Sequence, residues 1–366
     1  MPTLLDIVPM SANAGWTITL VYLILALLIV ITKLILRYPL KNKWETLQNT
    51  LLLVLALLPA SFMFLIGDRW NFDPSYLPTN NPVVDLTYSS FHIFFIIWMI
   101  VLAIVFVFIA KSHREDQSKT YFKGRMNKVD FTIFRIGLFL LSIELYKQLI
   151  FAGLWHGIDN YQWYAFPLQF CSVPIFFFLI APWLKNQKLK SATYDFIGLF
   201  VTLAGLLVMI VGGDVFVANV SISVHTMLWH SMMVVAGVYL IAAKRIGTDY
   251  KQLIRASVFL VGLIIFVQIV NIHFHFMGAY IENGPSNFSG FFISPWESGY
   301  RLPVLGLWQK ALYESPMPLA ISAFLFSLIY FLAFTVGASL VYGLCYGTNR
   351  LIKVVQNRKS NIKTVE

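Results

Sequence analysis

Long apolar runs separated by short polar segments repeat along the whole chain. An α-helix needs about 20 apolar residues to cross the hydrocarbon core of a bilayer. Runs of this kind predict nine helices, at residues 15–36, 49–67, 90–110, 131–155, 164–184, 193–211, 223–243, 253–277 and 319–344. The pattern therefore predicts an all-α, polytopic membrane protein with about nine transmembrane helices.

Basic residues accumulate in every second loop and so predict the orientation. Of the 27 Lys and Arg residues, 22 lie in the segments 33–48, 111–130, 185–190, 244–255 and from 350 onward. Three lie in the alternate loops and two within predicted helices. Because basic loops stay on the cytoplasmic side, we predict an N-terminus outside and a C-terminus in the cytoplasm.

The predicted helices divide the chain into three parts. Residues 1–130 hold three N-terminal helices with basic cytoplasmic loops, 131–349 form a six-helix core, and 350–366 form a basic cytoplasmic tail. The first run is longer than the core of a signal peptide and follows Asp6 instead of a basic segment, so we expect a retained helix. Residues 303–314 place Val304, Leu305 and Trp308 on one face, which predicts a short interfacial helix.

Composition agrees with this interpretation. The chain is 58% hydrophobic and 12% charged, with a mean hydropathy of +0.72, whereas a soluble domain carries roughly twice that fraction of charge. The net charge of +10 resides in the loops, so we expect membrane lipids as partners, no nucleic acid and no cofactor. We predict a multi-pass protein of the cell membrane. Cys171 and Cys345 are expected near opposite faces, as free thiols.

Polar residues inside predicted helices mark candidate chemistry, because such groups are costly in lipid. Cys171 and His230 each lie seven residues inside the outer end of a predicted helix, roughly 10 Å deep at 1.5 Å per residue. Asn271 lies at a similar level, and Glu144 lies deeper, with Lys147 one turn away. A thiol beside an imidazole can become a thiolate nucleophile. Depth does not fix rotation about each helix, so contact between Cys171 and His230 is a hypothesis.

These residues also have structural interpretations. A lone Cys in a helix is usually a small packing residue, and the pair of Glu144 and Lys147 can simply hold helices together. His273 and His275 point about 200° apart on a helix, so their spacing does not predict a metal site.

From residue 131 onward the chain resembles the YwaF-type integral membrane proteins of Gram-positive bacteria, which are related to the eukaryotic transmembrane protein 164. The resemblance rests on IELYKQLIFAGLW, on FPLQFCSVP around Cys171, on WHSMMVVAGVYL around His230, on Asn271 and on SPMPLAI before the last helix. It covers the last six predicted helices, so the segment 131–349 is expected to form a YwaF-like core.

The resemblance implies a cysteine-dependent acyltransferase that moves a fatty acyl chain onto an ether lysophospholipid. Carried over by motif, the nucleophile is Cys171 and its base is His230. Asn271 is then expected to donate to an oxyanion, and Glu144 to orient or charge-balance the polar cavity. The expected substrate contacts are Gln169, Tyr146, His225 and Trp229.

Three functions remain open at this stage. One is a lipid acyltransferase or acyl hydrolase that acts through Cys171 and His230 in the outer leaflet. The second is a transporter or lipid-handling protein, in which Glu144, Lys147, His230 and Asn271 line a cavity without chemistry. The third is a histidine-ligated metal or haem protein. The sequence has no P-loop, GxGxxG, HExxH or GxSxG motif in a suitable context.

Overall fold

The structure of the protein is a computed structural model that describes part of the chain. The described residues are 83–115, 120–148, 161, 163–212, 215–246, 249–278, 288–296, 302 and 304–363. The helices predicted at 15–36 and 49–67, and the last residues of the helix predicted at 131–155, lie outside them.

The described chain is mostly helical, and its helices are labelled in chain order. They are α1 (Ser90–Glu115), α2 (Lys128–Tyr146), α3 (Pro174–Ile180), α4 (Gln187–Phe196), α5 (Thr202–Val211), α6 (Val220–Ala242), α7 (Lys251–Gly278), α8 (Leu305–Tyr313) and α9 (Leu319–Lys363). A π-helical turn, Ile197–Val201, joins α4 to α5. Strands β1 (Thr120–Tyr121) and β2 (Met126–Asn127) pair antiparallel between α1 and α2.

Five helices in the described part of the chain are long and apolar enough to cross a membrane. They are Ser90–Arg114, Gln187–Val211, Val220–Ala242, Lys251–Gly278 and Leu319–Gly347. They match the predicted helices at 90–110, 193–211, 223–243, 253–277 and 319–344. In α7, Val258, Ile265 and Ile269 are 66%, 56% and 61% exposed. Such an outward apolar face suits lipid, and the protein is a multi-pass membrane protein.

The helix predicted at 164–184 differs from the structure. Turns occupy residues 166–173, α3 begins only at Pro174, and a 3₁₀ turn follows at Ala181–Trp183. Proline has no N–H, so it is tolerated in the first turn of a helix but not in its interior. Pro167 and Pro174 therefore divide an apolar run that is otherwise long enough to span. Cys171 consequently precedes a helix instead of lying inside one.

The short helix predicted at 303–314 is confirmed as α8, Leu305–Tyr313. Its apolar residues Leu307 and Trp308 are exposed, whereas Gln309 is fully buried. This is the reverse of a soluble amphipathic helix and suits a surface that faces lipid.

The described residues form two compact units. The first contains residues 83–92, 138–148, 161 and 212–228, apart from 213 and 214. In it, the N–H of Val84 donates to the carbonyl of Phe216 over 3.1 Å, and the ring of His92 packs edge-on against Phe216. The second unit contains the described parts of 93–137, 163–211 and 229–363. The boundaries predicted at 130 and 349 remain predictions.

Two ion pairs of buried carboxylates connect α2, α4 and α7 in the second unit. Lys190 lies 2.9 Å from the Asp130 carboxylate, which also accepts a hydrogen bond from the hydroxyl of Tyr194. Asp195, one residue further along α4, pairs with Arg255 of α7 over 2.8 Å. Because each buried carboxylate has both a cation and good hydrogen-bond geometry, these charges are tolerated away from water.

Glycines allow α5 and α6 to approach closely. A Cβ atom at Gly205 would lie 2.8 Å from the backbone oxygen of His230 and 2.9 Å from the side chain of Val234. On the opposing helix, a Cβ at Gly237 would clash with the hydroxyl of Thr202. Small residues bring backbones together in membranes, where the hydrophobic effect does not drive helix association. This packing fixes the helix that carries His230.

We expect Gly205→Ala to destabilise the protein by about 1–3 kcal/mol, because the added methyl overpacks a rigid backbone contact. Thermal unfolding in detergent micelles measures the change. Gly262→Ala on α7 is the matched control, since nothing lies within 4 Å of its Cβ position. There the exchange should be neutral or stabilising by up to about 1 kcal/mol, from helix propensity. Equal effects of the two exchanges would contradict this account of the interface.

Candidate functional site

The backbone around Cys171 is held by a tryptophan of α6. The indole Nε1–H of Trp229 donates to the Cys171 carbonyl over 2.6 Å. This carbonyl is available because the N–H of Ile175, its partner in a continuous helix, donates to Ser172 instead. Pro174 has no N–H to offer. The late start of α3 thus creates the acceptor that Trp229 uses.

Cys171 and His230 belong to segments joined by this hydrogen bond. Cys171 is a partly exposed cysteine outside any disulfide, and it lies in the turn before α3. His230 follows Trp229 directly on α6 and is buried. Adjacent Cα atoms are about 3.8 Å apart, so the indole that reaches Cys171 starts one residue from the predicted base.

A largely buried segment, residues 288–296, lies against α7 in the second unit and contains one short 3₁₀ turn, Gly290–Phe292. We call it the 288–296 loop. Asn271 binds it at two points: the Gly290 N–H donates to Asn271 Oδ1 over 2.7 Å, and Asn271 Nδ2 donates to the Gly290 carbonyl over 3.3 Å. A Cβ at Gly290 would lie 2.7 Å from Val267 and 3.1 Å from Asn271. Glycine is therefore required for this close approach.

The loop is also bonded to the turn that contains Cys171. Gln169 Nε2 donates to the carbonyl of Ser289 over 2.9 Å, and the N–H of Phe291 donates to the carbonyl of Leu168 over 3.1 Å. Further side-chain donors to its carbonyls are Gln268, Gln309 and Tyr313. The amides of Gln169 and Asn271 thus contact this loop, where the sequence predicts a substrate contact and an oxyanion donor.

An aromatic cluster surrounds the residue before Cys171. The ring of Phe170 contacts Phe334 (centroids 4.6 Å apart), Phe291 (5.3 Å) and Tyr330 (6.2 Å). Tyr330 is fully buried on α9. The sequence pattern does not mark Tyr330, because this residue lies in an apolar run rich in aromatic residues, as in any lipid-buried helix.

A second polar cluster lies in the first unit, around Glu144. The Glu144 carboxylate lies 2.8 Å from Lys147 Nζ and 3.5 Å from His225 Nε2, and it accepts from Gln148 Nε2 over 2.6 Å. The hydroxyl of Tyr161 donates to the other end of Gln148. Burial raises the pKa of Tyr161 to about 12, and the Glu144 charge adds to the rise. Tyr161 therefore stays protonated as a donor at physiological pH.

Tyr146 has a structural partner in the same unit. Its hydroxyl lies 2.6 Å from that of Ser221, which donates to the side chain of Asn219. Of the predicted site residues, the second unit thus holds Cys171, Gln169, Trp229, His230 and Asn271, and the first unit holds Glu144, Tyr146 and His225.

The histidines were also candidates for a metal or haem site. Within the part of the chain that the structure describes, no three His, Cys, Asp or Glu side chains converge closely enough to hold a metal ion. His275 instead stacks on Trp296, with centroids 3.8 Å apart and planes 6° apart. His156 lies outside the described residues.

Several apolar helices long enough to cross a bilayer define a multi-pass helical membrane protein. The chain belongs to the TMEM164 family, whose model matches residues 87–300. This confirms the relationship to transmembrane protein 164 that the motifs predict. The match contains every predicted site residue and ends before Tyr330. No curated protein matches this sequence, and no solved structure does.

We expect Asn271→Ala to lower the free energy of unfolding by about 1–3 kcal/mol, because the buried Gly290 N–H loses its acceptor. Hydrogen–deuterium exchange should rise at residues 288–294, and thermal unfolding in micelles should shift down. Gln187→Ala, at an exposed amide on α4, is the matched control and should change neither. Unchanged exchange in Asn271→Ala would show that Asn271 does not hold the loop.

Proposed function

We propose that the protein is a membrane-embedded lipid acyltransferase or acyl hydrolase in which Cys171 is the nucleophile and His230 its base. The observation that carries this proposal is the hydrogen bond from Trp229, next to His230, to the backbone of a partly exposed Cys171. Membership of the TMEM164 family is compatible with a role in lipid metabolism.

In the first half-reaction, His230 accepts the proton of the Cys171 thiol, and the thiolate attacks the ester carbonyl of a donor phospholipid. The C–S bond forms first, and the ester C–O bond breaks when the resulting tetrahedral intermediate collapses. The departing lysolipid oxygen takes the proton from His230, now acting as general acid. The products are a lysophospholipid and an acyl thioester on Cys171.

In the second half-reaction, His230 accepts a proton from the hydroxyl of an acceptor lysophospholipid. The resulting oxygen nucleophile attacks the thioester, the C–S bond breaks, and the Cys171 sulfur recovers its proton from His230. Water in place of the lysolipid gives acyl hydrolysis. The acceptor thus decides between transfer and hydrolysis, with the same two residues in both.

The neighbouring polar residues act in this proposal as positioning residues. Trp229 fixes the Cys171 backbone, while Gln169 and Asn271 hold the 288–296 loop beside the same turn. These hydrogen bonds keep the thiol oriented for attack. Holding reacting groups in the right orientation supplies much of the rate enhancement of intramolecular reactions. Loss of one of them should reduce the rate without removing the nucleophile.

We expect Cys171→Ser to reduce acyl transfer by at least about 10³-fold and His230→Ala by about 10²–10⁴-fold, since general bases contribute in that range. The assay follows a labelled acyl chain from phospholipid to lysophospholipid in nanodiscs by mass spectrometry. His230→Ala should also slow labelling of Cys171 by a thiol-reactive lipid probe.

Cys345→Ser is the matched control, because Cys345 is the other cysteine of the chain and is likewise partly exposed and outside any disulfide. It should keep the wild-type rate. Transfer that persists in Cys171→Ser, or labelling of Cys171 that is unaffected by His230→Ala, would contradict the Cys–His pairing.

The buried cluster around Glu144 favours a second candidate, a transporter or lipid-handling protein without catalysis. Ionisable groups inside membrane proteins commonly line substrate or ion pathways. Glu144 with Lys147 and His225 supplies both charges and an imidazole in the first unit.

Under the acyltransferase proposal, we expect Glu144→Gln to cost about 2 kcal/mol of stability, between the values for exposed and buried pairs, because Lys147 loses its carboxylate. Acyl transfer per folded molecule should fall by less than about 10-fold, since no proton passes through Glu144. Glu314→Gln, at an exposed carboxylate, is the control for thermal unfolding. Full activity of Cys171→Ser together with loss of activity in Glu144→Gln would favour the transporter.

A further inference from the structure

Tyr330 stands apart from the other buried tyrosines of the described chain. The hydroxyl of each of the others has a hydrogen-bond partner. Tyr146 pairs with Ser221 over 2.6 Å, Tyr194 with Asp130 over 2.7 Å and Tyr239 with His113 over 2.8 Å. The Tyr330 hydroxyl is equally buried and has no hydrogen-bond partner among the described residues. A buried hydroxyl without a partner costs free energy that a phenylalanine would not. Its presence therefore calls for a polar ligand.

The surroundings of Tyr330 point to the proposed nucleophile. Its ring lies 6.2 Å from Phe170, the residue directly before Cys171, and 4.5 Å from Phe334. Phe170 and Cys171 are adjacent in one turn, so Tyr330 packs beside the segment that carries the Cys171 sulfur. Its hydroxyl is therefore a candidate donor to the carbonyl oxygen of an acyl group bound to that sulfur.

We propose that the Tyr330 hydroxyl is the oxyanion donor of the site, binding the carbonyl oxygen of the acyl group while it is attached to Cys171. The proposal deepens and rests on the proposed function. Tyr330 takes the role of oxyanion donor that the sequence assigns to Asn271, whose amide contacts Gly290 in the structure.

In the proposed role, Tyr330 donates a hydrogen bond and transfers no proton. As sulfur attacks, the carbonyl π electrons move to oxygen, and the resulting oxyanion accepts a hydrogen bond from Tyr330. The phenol keeps its proton throughout. When the tetrahedral intermediate collapses, the electrons return and either the C–O or the C–S bond breaks. Because the donor is buried in an apolar aromatic cluster, its dipole acts in a low dielectric, where such stabilisation is large.

The test is Tyr330→Phe, which removes one oxygen atom and keeps the aromatic packing. We expect acyl transfer to fall by about 10–10³-fold, the range for loss of one oxyanion donor. Two further readouts should not fall: the midpoint of thermal unfolding, because no described hydrogen bond is lost, and the rate at which iodoacetamide alkylates Cys171, because alkylation forms no oxyanion. Tyr342→Phe, on the same helix, is the matched control and should keep the wild-type rate.

Each contrary outcome has a distinct meaning. A wild-type transfer rate in Tyr330→Phe, with Cys171→Ser inactive, overturns the role of Tyr330 and leaves the proposed function intact. A lowered unfolding midpoint in Tyr330→Phe means that the hydroxyl stabilises the fold, and alkylation slowed as much as transfer means that it acts on the reactivity of the thiol. Either result also overturns the role of Tyr330 as oxyanion donor. Transfer that persists in Cys171→Ser overturns the proposed function itself, whatever Tyr330→Phe does.

Discussion

In a bilayer, backbone that leaves the helical conformation must find its hydrogen-bond partners within the protein. Two described segments of the second unit face this constraint, the turn before α3 and the 288–296 loop. Side chains satisfy them: Trp229 binds the first, Asn271 binds the second, and Gln169 reaches from the first to the second. These three side chains are therefore required by the irregular backbone, before any chemistry is considered.

This constraint explains which parts of the fold follow from the sequence. Helices such as α6 and α7 are predicted closely, because a long apolar run in a membrane protein has one stable conformation. The run at 164–184 misleads, since its hydropathy suits a spanning helix while Pro167 and Pro174 interrupt the hydrogen bonding. Proline should have outweighed hydropathy there. The π-helical turn at 197–201 has no signal in the pattern, because its residues are as apolar as those of α5, which follows it.

The candidate site is predictable in part for the same reason. Cys171 and His230 stand out as polar residues in apolar runs, so composition selects them. Their setting depends on contacts between residues far apart in sequence, such as Trp229 with Cys171, which no local pattern encodes. Asn271 is also selected, but its partner Gly290 lies in a loop outside the predicted helices. Tyr330 is missed because a tyrosine in an aromatic-rich helix becomes unusual only when its hydroxyl partners are known.

Residues that lower the stability of a protein are informative about function, because selection for stability alone would replace them. Trp229 and Asn271 do not meet this criterion, since their hydrogen bonds satisfy buried backbone groups. The buried hydroxyl of Tyr330 does, since phenylalanine would keep the aromatic packing without a buried hydroxyl that lacks a hydrogen-bond partner among the described residues. Its ring packs against Phe170, the residue before Cys171, in the second unit. A hydroxyl without a described structural partner, beside the turn that carries the proposed nucleophile, is what stabilisation of an oxyanion in acyl transfer requires.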